Sequence, residues 1–204
     1  MRLFKYMSLS SHFSDIIEYG LYASPLKDLN DPFEWIEIQD KENYRVVSLS
    51  KSRNKKMMFA YYGGGHGCCI EVEVTDESII RKISYDKLTH FQQLRRTKTP
   101  EETLFHKDRL FEKENEYRVL FDCINPDPNH WTILRDNRVF LKCKVIRVYL
   151  SPSSQDYQSG YADALDVVRR HNEQAKNKSD RIEVKKLKLS TEKYQFVLDD
   201  TFMF

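Results

Sequence analysis

The stretch VFLKCKVIRVYL at 139–150 is the longest strand-like segment of the chain, and it commits the fold to a β-sheet. Shorter segments of the same character recur at 2–7, 21–24, 44–50, 67–74, 79–85, 116–123, 181–189 and 194–198. Helical patterns lie between them. Residues 12–19 follow a cap at Ser10 or Ser11 and stop at Gly20, and residues 54–62 stop at Gly63, Gly64 and Gly65. Residues 86–112 are polar and mostly helical, with a break at 97–100. Between 154 and 173, Tyr157, Tyr161, Leu165 and Val168 recur at the spacing of an amphipathic helix. Pro25, Asn30, Asp31 and Pro32 make a structured loop, because proline fixes φ and Asx side chains bond nearby backbone groups; Pro126 and Pro128 mark another. No repeat, low-complexity tract or linker divides the chain. The expectation is one α+β domain over 1–204, with a mixed or antiparallel β-sheet and flanking helices.

A chain of 204 residues buries roughly 70% of its unfolded surface and holds a core without staples. Its 33 Lys and Arg against 31 Asp and Glu leave a net charge of +2, too small for broad nucleic-acid affinity through phosphate neutralisation. A local basic face stays open at Arg169, Arg170, Lys176, Lys178, Lys185, Lys186 and Lys188. That region is either a solvated surface or the place where phosphates would sit. Cys68, Cys69, Cys123 and Cys143 contain no CxxC pair and fit neither a disulfide framework nor a zinc knuckle; they read as reduced core thiols. No apolar run reaches the roughly 20 residues of a membrane helix, and residues 1–8 lack the apolar stretch of a signal peptide. The expectation is a cytoplasmic protein without membrane association.

Four polar clusters carry the candidate chemistry: Lys5 with Tyr6; Asn30, Asp31, Pro32, Phe33 and Glu34; Ser48-Leu49-Ser50 with the aromatic and glycine-rich run 59–67; and Glu114 to Arg118 in the sequence Glu-Asn-Glu-Tyr-Arg. On a strand Glu114 and Glu116 would share a face about 7 Å apart, with Arg118 on the same side. The alternative is a solvated ladder of charge. For 30–34 the alternative is a plain turn, with Asp31 capping backbone N–H groups and Phe33 in the core. Residues 63–67 have neither the lysine nor the strand-before, helix-after context of a phosphate loop, so they read as a helix stop with His66 exposed.

Taken together and in this order, these clusters resemble the bacterial family catalogued as domain of unknown function 2971. That family carries a Lys-Tyr strand, an Asn-Asp-Pro-Phe-Glu loop, an aromatic helix with a nearby glycine, and Glu-x-Glu-x-Arg. The resemblance covers most of 3–150, with Phe59 and Phe111 standing where the family usually carries Trp. A second resemblance is to ADP-ribosyltransferases, which place a cationic residue on the first strand, a serine on a later strand and Glu-x-Glu or a single Glu beyond it. Lys5, Ser50 and Glu116 fall in that order, although the transferases use Arg or His where this chain has Lys5.

The second resemblance implies a split sheet of the ADP-ribosyltransferase type and an enzyme that consumes NAD. Cleaving the nicotinamide bond builds an oxocarbenium-like ribose that a carboxylate stabilises, the task assigned to Glu116 with Glu114 beside it and Ser50 orienting the ribose or the glutamate. Lys5 would hold the pyrophosphate, Tyr6 and Tyr62 would sandwich the nicotinamide, and Asn30, Glu34, His66 and Arg118 would complete the cofactor site. The acceptor would be a macromolecule, protein or nucleic acid, and the setting a toxin or phage-defence effector. Two other classes remain open: a metal-dependent hydrolase or nuclease with Asp31, Glu34, Glu114 and Glu116 around Mg²⁺, and a binding module in which the cluster is a hydrogen-bond network.

Overall fold

The computed structural model describes residues 1–9, 12–31, 34–35, 38–53, 55–86, 99–156, 158–190, 192–193 and 195–204. Expectations placed on Ser10, Ser11, Pro32, Phe33, Asn54, 87–98, Tyr157, Thr191 and Tyr194 lie outside the described residues. The architecture is mixed α/β, with four α-helices among the described residues and a mixed sheet. In chain order the elements begin with β1 (Arg2–Met7), α1 (Phe13–Tyr19), β2 (Leu21–Tyr22), β3 (Ser24–Pro25), β4 (Tyr44–Ser50), α2 (Lys56–Gly63) and β5 (Cys68–Glu73). There follow β6 (Arg81–Lys82), β7 (Ser84–Asp86), α3 (Pro100–Thr103), β8 (His106–Asp108) and β9 (Glu116–Asp122). The chain closes with β10 (Trp131–Ile133), β11 (Val139–Leu141), β12 (Lys144–Leu150), α4 (Gln158–Gln174), β13 (Glu183–Ser190) and β14 (Gln195–Leu198). Among the described residues no helix is long and apolar enough to cross a membrane.

The chain forms two compact units that interleave along the sequence: Met1–Gly20, Ser52–Thr75 and Cys143–Phe204 make the first, and Leu21–Lys51 with Asp76–Lys142 the second. In the first unit the strands run in the order β14-β13-β12-β5-β1. All their pairings are antiparallel except β12 with β13, which are parallel and need the crossover that α4 supplies. Central β5 is buried on both faces, as its apolar run demands. On one face Tyr6, Cys69, Tyr149 and Leu187 pack with Met58 and Phe59 of α2. Phe59 meets Tyr6 edge-on at 5.1 Å and Phe196 at 5.3 Å. Gly64, in the left-handed region at φ 58°, ends α2. Gly67 then passes so close to β1 that a Cβ there would lie 2.1 Å from the Met7 carbonyl oxygen.

The second unit holds β3-β4-β9-β6, all antiparallel, the meander β10-β11-β2, and the short parallel pair β7 with β8. Leu26, Ile38, Val46 and Leu104 form a core with Leu29, Trp35, Tyr44 and Leu120 against it.

Four sequence expectations need correction. The segment 139–150 is two strands, because Lys142 N turns back to His130 O at 2.8 Å and the chain re-pairs with β5 only from Lys144. Residues 21–24 likewise belong to two short strands, Leu21–Tyr22 on β11 and Ser24–Pro25 on β4. At 79–85, the Asp76 side chain caps Ser78 N and opens a 3-10 turn over Glu77–Ile79, leaving only β6 and β7 extended. Within 99–112 the α-helix lasts one turn. His106–Asp108 pairs with β7 as a strand, and Asp108 accepts from Leu110 N at 2.7 Å to start a 3-10 turn over Arg109–Glu114. All four cysteines are free; Cys68 and Cys69 are buried, and Cys123 and Cys143 are half-buried. Burial pushes the thiols of Cys68 and Cys69 up, so both stay protonated and unreactive.

Candidate functional site

Six of the residues singled out in the sequence come together in the second unit: Asn30, Glu34, Ser50, Glu114, Glu116 and Arg118. Glu116 and Arg118 stand two apart on β9, so the strand's period of two sends both side chains to one face. The antiparallel register sets Ser50 opposite Glu116 and Ser48 opposite Arg118. Glu114 does not share that strand. It ends the 3-10 turn, and Asn115 in the left-handed region at φ 48° carries the chain back into β9. The turn is tied down by Asn115 N to Glu112 O at 3.1 Å and by Ser50 Oγ donating to the Glu114 carbonyl at 2.7 Å.

At the centre is a residue that the sequence reading missed. Lys107 on β8 donates from Nζ to Glu114 Oε2 at 2.7 Å, to Glu116 Oε2 at 3.2 Å and to Asn30 Oδ1 at 3.3 Å. It also lies 3.4 Å from Glu34 Oε1 and 4.5 Å from the centre of the Phe111 ring. Arg118 donates from Nε to Glu116 Oε1 at 2.6 Å, from Nη2 to Glu116 Oε2 at 3.2 Å, and from Nη1 to the Leu104 carbonyl at 2.7 Å. Arg118 Nη1 makes a close ion pair with Glu34 Oε2. The backbone N–H of Glu116 donates to Tyr85 Oη at 2.8 Å, and Asn30 Nδ2 reaches Glu114 Oε1 at 3.5 Å.

Three carboxylates and two cations are therefore gathered in one cluster, and they are closed off. Glu34, Lys107 and Arg118 are at most 1% exposed, and Glu114 and Glu116 4%. Burial opposes ionisation of Glu116, but the charges of Arg118 and Lys107 outweigh it and hold the carboxyl down at about 2. In Lys107 and Arg118 burial is likewise overcome, chiefly by Glu116 and Glu34, and both are raised. Glu34 goes the other way. Burial raises its pKa more than the two cations lower it, and neither of its oxygens accepts a well-aligned hydrogen bond among the described residues. Tyr85 is pushed up to about 12 by burial. Asp31 is buried, and its carbonyl accepts from Glu34 N at 3.1 Å.

The other expected site residues belong to the first unit. Lys5 lies on β1, half-buried, paired in register with Ile70. Tyr6 is a core residue whose hydroxyl donates to the Ser52 carbonyl at 2.6 Å and accepts from Lys55 N at 3.3 Å. Its ring packs on Phe59, so ring and hydroxyl are both engaged. Tyr62 is half-buried beside the same core, and exposed His66 places Nδ1 3.0 Å from the Ser153 carbonyl.

The first unit also holds a network that the sequence reading did not name. Buried Glu71 accepts from Tyr149 Oη at 3.0 Å and from Arg147 Nη1 at 2.8 Å, and Arg53 Nη1 donates to Tyr149 Oη at 3.0 Å. A bulge between Val145 and Arg147 sets Arg147 across from Glu71. Among the described residues no group of three His, Cys, Asp or Glu side chains is arranged to hold a metal ion. Compared with protein-family models, curated proteins and solved structures, the chain matches none.

Proposed function

We propose that the chain is a binding module in which the Glu116 cluster is a structural charge network. The observation that carries this reading is Lys107, whose ammonium sits among Glu34, Glu114 and Glu116. A catalytic carboxylate needs one open side where a substrate atom comes within hydrogen-bond reach. Both oxygens of Glu116 are instead engaged by Arg118, and Oε2 by Lys107 as well. The same geometry speaks against the metal-hydrolase reading, since the cation these carboxylates share is the protein's own lysine. The network ties Asn30 and Glu34 to Lys107 on β8 and to Arg118 on β9. Incubation with NAD⁺ and cell lysate, following nicotinamide release and ADP-ribose incorporation, tests the proposal. The expected result is the blank rate, for the wild type and for Glu116→Gln alike. NAD cleavage that vanishes in a folded Glu116→Gln protein overturns it.

A second reading is favoured by one observation: Ser50 and Glu116, two of the residues on which the resemblance to ADP-ribosyltransferases rests, stand opposite each other on β4 and β9, with Ser48 helping to hold the Glu116 carboxylate ionised. In that reading the fold is ADP-ribosyltransferase-like, and NAD is the substrate. The carboxylate kept ionised at Glu116 stabilises the ribose cation as the glycosidic C–N bond breaks and nicotinamide leaves with the electron pair. The acceptor is a protein or nucleic acid in the cytoplasm, as for a toxin or phage-defence effector. This chemistry requires Lys107 to release Glu116 when NAD enters.

A further inference from the structure

The first unit carries an open groove of about 580 Å³ along α4. Tyr161, Leu165 and Arg169 follow one another at four-residue spacing along the helix, and Arg181, Phe202 and Phe204 line the groove with them. Arg169 and Arg181 are exposed, Tyr161, Leu165 and Phe202 are half-buried, and Phe204 is 48% exposed. The turn that carries Arg181 is held to the helix. Asn172 Nδ2 donates to the Ile182 carbonyl at 2.9 Å, Asn172 Oδ1 accepts from Ile182 N at 2.7 Å, and the His171 ring meets the Asp180 carbonyl at 3.1 Å. The groove therefore has a fixed wall, lined by aromatic side chains and two exposed arginines.

Charge points the same way. Arg169 and Arg181 outnumber Glu173 in the groove lining, and the surrounding segment 165–190 contains eight Lys and Arg against four Asp and Glu. Arg169 meets Asp166 at 3.4 Å, but both are exposed and such pairs are weak competitors for a ligand anion. Glu173, also lining the groove, keeps anions from that end. Flat aromatic faces interleaved with a few cations suit a ligand that alternates π surface with phosphate. Bases stack on Tyr or Phe while Arg follows the backbone, without need for a particular sequence. A lipid surface calls for a continuous apolar face, which the charges at 169 and 173 interrupt.

We infer that this groove binds single-stranded nucleic acid over a few nucleotides. The inference gives the binding reading above its ligand and rests on it. NAD cleavage tests that reading without involving the groove, so the two fail separately. The test is fluorescence anisotropy of labelled oligo-dT and oligo-U of about 12 nucleotides, titrated with the full chain from about 50 to about 200 mM salt. Two phosphate contacts predict a log–log salt slope of about −1.4, using roughly −0.7 per contact on single strands. Arg169→Ala/Arg181→Ala, both exposed, is expected to weaken binding about tenfold or more, and Phe202→Ala to weaken it about tenfold through lost stacking. Circular dichroism separates a folding defect in the Phe202 variant from a binding defect. Removing two exposed charges elsewhere, Arg135→Ala/Lys193→Ala, is expected to leave binding unchanged. The inference is overturned by absent binding, by equal affinity for a duplex of the same length, by preference for phosphatidylserine vesicles or a phosphopeptide, or by an equal loss in the charge control.

Discussion

Replacing Glu116 with Gln keeps the shape of the side chain and removes its charge, and the two readings of this residue predict opposite outcomes. Glu116 accepts three charge-assisted hydrogen bonds, two from Arg118 and one from Lys107, at 2.6 to 3.2 Å. A glutamine oxygen can keep part of this set, but its amide N–H groups must then face cations that need acceptors. Breaking a buried pair from one side costs about 3–5 kcal/mol, and the shape-conserving change belongs at the lower end. The depressed carboxyl gives a consistent figure. The carboxyl is held at about 2 against an ordinary 4.5, which corresponds to about 3 kcal/mol of stability at neutral pH. For a chain of this size that is a fall in Tm of roughly 6–12 °C. The sign with pH follows. Because the folded pKa is depressed, the contribution is present above the unfolded value and lost as pH falls toward about 2. The gap between wild type and Glu116→Gln is therefore widest near neutrality and closes through that window. Urea denaturation of both proteins at several pH values measures it. Equal stability at pH 7, or a gap that widens on acidification, would show that the Glu116 charge does not stabilise the fold.

Glu34→Gln is expected to be much milder, within about 1 kcal/mol, even though Glu34 is the more deeply buried of the two. Burial raises the Glu34 pKa, so its contribution is present below the unfolded value and lost as pH rises through the folded one; an uncharged mimic suits that environment. Urea midpoints at pH 7 compare the two directly, and a Glu34→Gln loss exceeding that of Glu116→Gln contradicts the assignment. Lys107→Met is expected to be the most damaging of these changes, by about 5 kcal/mol, because it leaves three buried carboxylates without their shared cation. Its stability should recover as pH falls and those carboxyls protonate, a trend opposite to the wild type's and visible in the same titrations.

Sequence reached the parts of this fold that are set by local periodicity. Arg2–Met7 and Tyr44–Ser50 begin and end where their side-chain patterns do, and the pairing of Glu116 with Arg118 follows from their spacing on a strand. The shared strand face that spacing suggests for Glu114 and Glu116 does not form, because spacing alone cannot register the Asp108 cap and the left-handed Asn115 that put Glu114 on a 3-10 turn. Lys107 was invisible for a different reason. It lies in a polar stretch that reads as a solvated helix, and its partners come from residues 30–34 and 114–116, which only tertiary pairing brings to it. The one available signal was Lys107 between Phe105 and Asp108, close to further apolar residues at Leu104 and Leu110. Tyr6 was expected at a ligand, yet aromatic packing on Phe59 and a backbone carbonyl at Ser52 satisfy it within the first unit.

Glu116 and Arg118 act on each other to hold the second unit together. A double-mutant cycle measures this directly: Glu116→Gln, Arg118→Met and the double variant, each unfolded in urea at pH 7. The interaction is buried and made through two hydrogen bonds, so the expected coupling energy is about 2 kcal/mol or more, with the double variant more stable than the sum of the single losses implies. Additive losses, with coupling near zero, would contradict it.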